Sequence, residues 1–346
     1  MIKKGCLFLI LTSQLSGCVF PELSSSPVYI TNAAEPIKKS QSKQIFVLPE
    51  AIPITSPDFE QIKLRVPKAP LVQTIQQQIE SLVLETGNQL TDRTGIAQTD
   101  QMIRSEILQV SPNLTALIPS SDYMIYPRIN VEPLTSRFEQ GYQYKGRKGE
   151  LQSVPTTCFY AQTVKVTAHI YDVKADKEIA AVDMIGKQTA TITPKVPTHR
   201  CPMSQAHQQA MIVNAARKAV LYHKNDVANY IKPVGPVLQL RKTDNGDSYL
   251  VKIALGTSNN VKAKMEIEFS RLKQGKAYKL GVGYIINNPD AIQPNYAWVT
   301  VKKELAQHIQ RGDMAAPIYD ICTNNLAPEC MFESYTNLTQ MEETAL

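Results

Sequence analysis

Apolar and polar positions along this chain follow two textures, and the change between them falls near residue 233. In the first texture, runs of helical period are interleaved with short alternating segments. "QIFVLPE" predicts a strand at 45–48. After Pro70, the residues Leu71, Ile75, Ile79, Leu82 and Val83 recur at three- and four-residue steps and predict a helix that Gly87 ends. "NQLTDR" follows as a short strand, then a second helix around 98–110, stopped by Pro112. "DYMIYPRINVEP" (122–133) reads as a strand. So does "TVKVTAHIYDV" (163–173), where Val164, Val166, Ala168 and Ile170 alternate with polar partners and place one face on a core. Ala175-Asp176-Lys177 turns that strand back into "EIAAVDMIGKQTATI". A long helix over 204–230 presents Ile212, Ala215, Ala216, Ala219, Val220, His223 and Val227 on one face. The alanines let it sit close on a sheet, and His223 reads as a core histidine.

Pro233-Val234-Gly235-Pro236 breaks this pattern. Beyond it come short strands separated by Gly, Asn and Pro: "VLQLRK", "SYLVKIAL", "MEIEFSRL", "KLGVGYII", "YAWVTVK" and "MAAPIYD". Many short strands with turn signals predict a small antiparallel barrel. Asp244-Asn245-Gly246-Asp247 predicts a tight turn between the first two strands. Gly281 and Gly283 lack the strand-to-helix context of a dinucleotide site and read as a bulge or bend within a strand.

The first residues change the picture of where the protein works. Lys3 and Lys4 precede an apolar core at Leu7–Leu11, which is far shorter than the roughly 20 residues a spanning helix needs. Leu15-Ser16-Gly17-Cys18 then resembles the lipobox of bacterial lipoproteins. That resemblance implies cleavage before Cys18, thioether lipidation of its sulfur and acylation of the new N-terminus. Two or more chains, at about 0.8 kcal/mol per buried methylene, anchor a protein stably. Val19 rather than Asp at the next position implies export to the outer membrane. Residues 1–17 are thus a signal peptide. Residues 18–44, rich in Ser, Pro and polar residues, read as the lipidated cysteine and a flexible tether with a span of roughly 28 Å, about 85 Å at full extension.

Charge and cysteines narrow the partners. The formal charge is +6, two units of which belong to the leader lysines, and the remaining basic residues are scattered, so nucleic acid is not a partner. Of the six cysteines, Cys158, Cys201, Cys322 and Cys330 remain after the leader and the lipobox, and in an oxidising compartment an even number predicts disulfides. Three pairings are open, with the sequential one favoured. His199, Cys201 and His207 lie near one another but match no structural zinc spacing, so neither metal nor cofactor is expected.

The order strand, helix, "LTDR" strand, helix, "DYMIYPRI" strand, "VTAHIYDVKADKEIAAV" hairpin and Ala-rich helix resembles the CsgG and TolB N-terminal superfamily of envelope proteins, which includes LpoB-type synthase activators and PelC. Asp92-Arg93, Asp122-Tyr123 and the stretch Asp172 to Glu178 carry the likeness, although Ala175-Asp176-Lys177 stands where the family has Thr-Gly. "SNNVKAKMEIEFSRL", "KLGVGYIIN" and "IQRGDMAAPIYD" resemble the C-terminal domain of the flagellar ring protein FlgT. The implied fold class is α+β, a CsgG/TolB-N-like α/β sandwich over 45–232 followed by a small SH3-like all-β barrel over 236–322, with 323–346 as a tail.

Neither family part is enzymatic, and no phosphate loop, H-E-x-x-H or G-x-S-x-G motif occurs. A membrane-spanning hairpin needs strands of about 9–11 alternating residues. The insertion "SRFEQGYQYKGRKGELQSVPTTC" instead carries six charges and no alternating apolar set, and reads as an exposed loop. Its Phe138, Tyr142 and Tyr144 are available either to a partner or to cap a sheet edge. The expected function is a non-enzymatic outer-membrane lipoprotein facing the periplasm, a scaffold or ring component of an envelope machine. Alternatives are an activator of a peptidoglycan synthase, a CsgG-like secretion channel and a polysaccharide-export accessory.

Overall fold

The computed structural model describes residues 27–28, 42–48, 68–91, 118, 120–194, 201–242, 249–274 and 276–319. The predicted helix at 98–110, the Asp244–Asp247 turn, Cys18, Cys322, Cys330 and the tail 323–346 lie outside them.

The first part is a mixed sheet covered by helices. In chain order its strands are β2 (Gln44–Val47), β3 (Gln89–Leu90), β4 (Tyr123–Val131), β5 (Thr135–Glu139), β8 (Thr157–Asp172) and β9 (Lys177–Ile192). β2 is parallel to both β3 and β4, whereas β8 is antiparallel to β4 and β5 along one edge and to β9 along the other. The period-two alternation of β8 continues upstream of the predicted start, so Cys158 lies within the strand rather than before it. The hairpin turn after Asp172 places Asp176 at φ +50°, with the Ala175 amide held by the Asp172 carboxylate at 2.9 Å.

Helix α1 (Lys68–Glu85) buries Leu71, Ile75, Ile79, Leu82 and Val83 against this sheet, together with Ile45, Ile125, Val164 and Val166. Its C-terminus is closed by a Schellman motif. The Gly87 amide donates to Leu84 O at 2.9 Å and the Asn88 amide to Val83 O at 3.2 Å, with Gly87 at φ +74°. Helix α2 (Gln205–Tyr222) starts at Ser204, whose hydroxyl accepts from the His207 amide. Ala215, Ala216 and Ala219 are fully buried on the sheet. Their counterpart is Gly186 of β9, where a Cβ would lie 1.9 Å from Ala215 O. The long predicted helix is broken at His223 into α2 and α3 (Lys224–Ile231). His223 caps the break, its Nδ1 2.8 Å from Asp226 Oδ2, and is partly exposed rather than a core residue.

On the opposite face of the sheet, Phe46, Leu48, Ile118, Met124, Tyr126 and Val173 form a second cluster. Tyr126 stacks on His169 with ring centres 4.6 Å apart.

The second part is a closed barrel. Its strands are β10 (Gly235–Lys242), β11 (Tyr249–Ile253), β12 (Glu266–Lys273), β13 (Lys276–Ile285), β15 (Tyr296–Val301) and β16 (Met314–Ile318), with the short β14 (Ile292–Gln293) pairing to β15. The ring runs β10-β11-β15-β13-β12-β16 and closes where Gly235 and Pro236 pair with Ala315 and Met314. All pairings are antiparallel, so a small barrel of six strands stands where an SH3-like barrel was expected. Val237, Val251, Ile253, Ile267, Phe269, Ile285, Val299 and Ala315 fill it. The bulge predicted at the glycines is present, since Phe269 pairs with Gly281 but Ser270 with Lys279. Gly283 is close-packed, its Cβ position 2.7 Å from Thr300 O.

Two further expectations need correction. The 136–158 insertion is not a loop. β5 pairs with β8, and β6 (Tyr142–Lys145) with β7 (Leu151–Val154) makes a separate two-stranded arm. Glu132-Pro133-Leu134 steps the chain from β4 to β5 along the same edge of β8, which extends the sheet instead of leaving it. Nor is all of 18–44 a free tether. Pro27 and Val28 form β1, which pairs with Arg241 and Leu240 of β10.

Candidate functional site

The aromatic residues singled out in the insertion separate into two environments. Phe138 packs on a small cluster built around the Cys158–Cys201 disulfide, with Tyr160, Met211 and Met203. Tyr160 Oη donates to Pro202 O at 2.9 Å, which ties the start of α2 to β8 beside the bond. Cys201 is therefore held by sulfur, and His207 serves the helix cap; His199 lies outside the described residues. Among the described residues no group of three His, Cys, Asp or Glu could hold a metal ion.

Tyr142 and Tyr144 project from the arm instead, 60% and 44% exposed, and Leu151 is 71% exposed. The pairings Tyr142↔Val154 and Tyr144↔Gln152 put both tyrosines on one face, their ring centres 6.1 Å apart, and Tyr144 bonds to the Gln152 side chain. The arm's strands are four residues each, below the span of a lipid-crossing strand. Among the described residues no helix is long and apolar enough to cross a membrane.

A second feature is the seam between sheet and barrel. The end of α1 abuts the short turn Thr257–Asn259, since a Cβ on Gly87 would come within 2.4 Å of Asn259 Cα. The Asn260 amide group donates to Glu85 O. Asn229 of α3 clamps the end of β16, accepting from the Tyr319 amide at 3.1 Å and donating to Tyr319 O at 2.8 Å. Next to these contacts lies an open cleft of about 680 Å³, lined by Asp183, Asp226, Lys232, Glu268, Lys279 and Tyr319. Lys279 pairs with Glu268 at 2.8 Å and Lys232 approaches it at 3.9 Å, so its charges are largely mutually satisfied.

Behind the seam, Lys43 sits over the Tyr123 ring at 4.5 Å and donates to its hydroxyl at 3.3 Å. Burial lowers its pKa to about 8, against the opposing pull of Asp122 and Asp172, while nearby Lys232 lowers it further. Burial alone would raise the Asp122 carboxyl; bonds from Lys174 and the Gln44 amide outweigh that and hold it below the ordinary value. Sequence reasoning singled out Asp122 and Tyr123 but not Lys43, which precedes its strand in a polar run.

On the barrel's outer surface, cations cover aromatic rings. The Arg241 guanidinium lies 5.0 Å from the Trp298 ring centre, and Lys252 Nζ lies 3.6 Å from that of Tyr296 and 5.8 Å from that of Trp298. Strand alternation could have flagged this ladder, because Trp298 falls out of phase with the inward Ala297 and Val299.

No family model matches the chain, and no curated protein matches it. Among solved structures, a protein described as a neuraminyllactose-binding hemagglutinin homolog from Helicobacter pylori aligns over 59% of this chain and 96% of its own, at 9% identity and a TM-score of 0.31. Lipoprotein GNA1162 from Neisseria meningitidis aligns over 54% of this chain and 99% of its own, at 17% identity and a TM-score of 0.24. Overlap this loose fixes neither the fold nor the function.

Proposed function

We propose that the chain is an envelope lipoprotein, held by acylated Cys18 in the inner leaflet of the outer membrane, that scaffolds a periplasmic assembly without performing chemistry. The observation that carries this reading is Leu15-Ser16-Gly17-Cys18 behind a basic, apolar leader. A disulfide between Cys158 and Cys201 agrees with an oxidising compartment. Within this reading the sheet unit is of the CsgG/TolB-N kind, the barrel of the FlgT C-terminal kind, and the exposed Tyr142–Tyr144 face of the arm contacts the partner. An amphipathic aromatic pair on a short exposed hairpin suits that role, since tyrosine contributes contact area at little entropic cost.

Two measurements test it. Mass spectrometry of the mature N-terminus is expected to find an acylated Cys18, and Cys18→Ser to release the chain from the membrane fraction; an unmodified N-terminus elsewhere overturns the anchor. A photo-crosslinking residue at position 142 or 144 is expected to capture an envelope protein or a second copy in intact cells. Capture only from the barrel face would overturn the arm's role.

A further inference from the structure

We propose that the β10–β11–β15 face of the barrel, carrying Arg241, Lys252, Trp298 and Tyr296, lies against the anionic phospholipid surface, with the sheet unit held away from it. This rests on the acylation of Cys18 proposed above.

The argument starts from β1. It runs antiparallel to β10, with Pro27 opposite Arg241 and Val28 opposite Leu240. Pro27, the first residue of β1, therefore lies beside the C-terminal end of β10. Pro27 is nine positions after Cys18, so the anchored sulfur lies within about 30 Å of that strand even at full extension. A tether free as far as residue 44 would let either unit approach the bilayer. Pairing at 27–28 removes most of that freedom and gives the barrel the near position.

The face at that place is chemically suited to phosphate headgroups. Arg241 and Lys252 share the Trp298 ring, from 5.0 and 5.8 Å, and the indole itself is buried, 5% exposed, in a cluster with Leu250, Ile286 and Ala291, so the cations over it are what the face presents. Burial, and then the positive charge of Arg241, make Lys252 a weaker base than usual. A lipid phosphate between the two cations relieves that repulsion, and rings crossed by cations belong at a water–lipid boundary. The connection 243–248 carries Asp244 and Asp247, so the attraction is local to the ladder rather than a long-range field.

Trp298 is the chain's single tryptophan, which makes the test direct. The mature chain, purified from membranes with its N-terminus as processed in cells, is placed in vesicles of phosphatidylethanolamine and phosphatidylglycerol containing dansyl-phosphatidylethanolamine, and energy transfer from indole to dansyl is measured. Transfer from Trp298 is expected to exceed, at least twofold, that from a W298F/Y142W chain, whose indole sits on the arm. R241Q/K252Q, which keeps the native tryptophan and does not depend on W298F folding, is expected to halve the transfer with flotation unchanged. Flotation with equal or weaker transfer from position 298 would overturn the orientation. Unchanged transfer in R241Q/K252Q would overturn the role of the ladder. Failure of the chain to float would overturn the acylation of Cys18, and this inference with it.

Discussion

Asp313 shows how much one side chain fixes in the barrel. It is nearly inaccessible to water, and its carboxylate meets Arg271 through two parallel bonds of 2.7 and 2.8 Å while accepting from the Gln310 amide at 2.6 Å. Arg271 also donates to His308 O at 2.6 Å, so the pair pins the turn before β16, the strand that closes the ring. Removing one member of such a pair leaves a charge unmatched in a poor solvent. Asp313→Asn is expected to lower unfolding stability by about 3 kcal/mol in urea denaturation, and Arg271→Lys to recover only part because the forked geometry is lost. Lys43 provides a residue-scale prediction of opposite sign. Its pKa is about 8 in the fold and 10.5 in the unfolded chain, so between these values the unfolded state binds more protons and stability rises with pH. Tyr123, Tyr171 and Tyr319 act the other way, since burial holds their hydroxyls protonated above the ordinary range and stability falls once pH passes 10. Stability is expected to climb from pH 8 toward 10 and then drop. Lys43→Met is expected to flatten the climb and to add on the order of 2 kcal/mol at pH 7, as read by denaturation at a series of pH values.

At the scale of elements, the contact between α2 and β9 is set by the absence of side chains. Ala215 and Ala219 bring the helix backbone down, and only hydrogen at Gly186 lets the strand accept it. Gly186→Ala is expected to lift α2 and cost about 3 kcal/mol, seen as a lower thermal midpoint with secondary structure retained below it. The alanine half of this contact is legible in the sequence, because small residues recur at helical spacing. The glycine half is not, because one Gly in an alternating strand has no pattern of its own. Similar reasoning separates the rest. The buried strands of the barrel and β8 are readable from alternation, since one face of each must leave water. The arm β6–β7 alternates too, but between polar residues and exposed tyrosines, and with no core to bury it leaves no apolar signature. The break at His223 is hidden because Val227 and Ile231 keep the helical period across it; the Asp226 carboxylate that receives His223 becomes visible only in three dimensions. β1 is the extreme case, two residues whose extended state depends on a partner more than 200 positions away.

For the whole molecule, the question is whether sheet and barrel behave as one body. The seam is made of a few specific contacts rather than a broad apolar interface: Gly87 against Asn259, Asn260 on Glu85 O, and the two-way bond between Asn229 and the backbone of Tyr319. Each unit has its own core, so among the described residues these contacts, with Tyr319 packed on the sheet core and Lys232 beside Glu268, couple their unfolding. Asn229→Ala removes both bonds to Tyr319 and strands a half-buried amide and carbonyl, a loss of about 2–3 kcal/mol concentrated at the seam. Trp298 reports on the barrel alone, whereas far-ultraviolet circular dichroism reports on both units, with all described helix but the single turn Lys303–Ala306 in the sheet unit. In the native chain the two signals are expected to trace one transition in urea. In Asn229→Ala they are expected to separate, and coincident curves in that variant would mean that the coupling lies elsewhere along the seam.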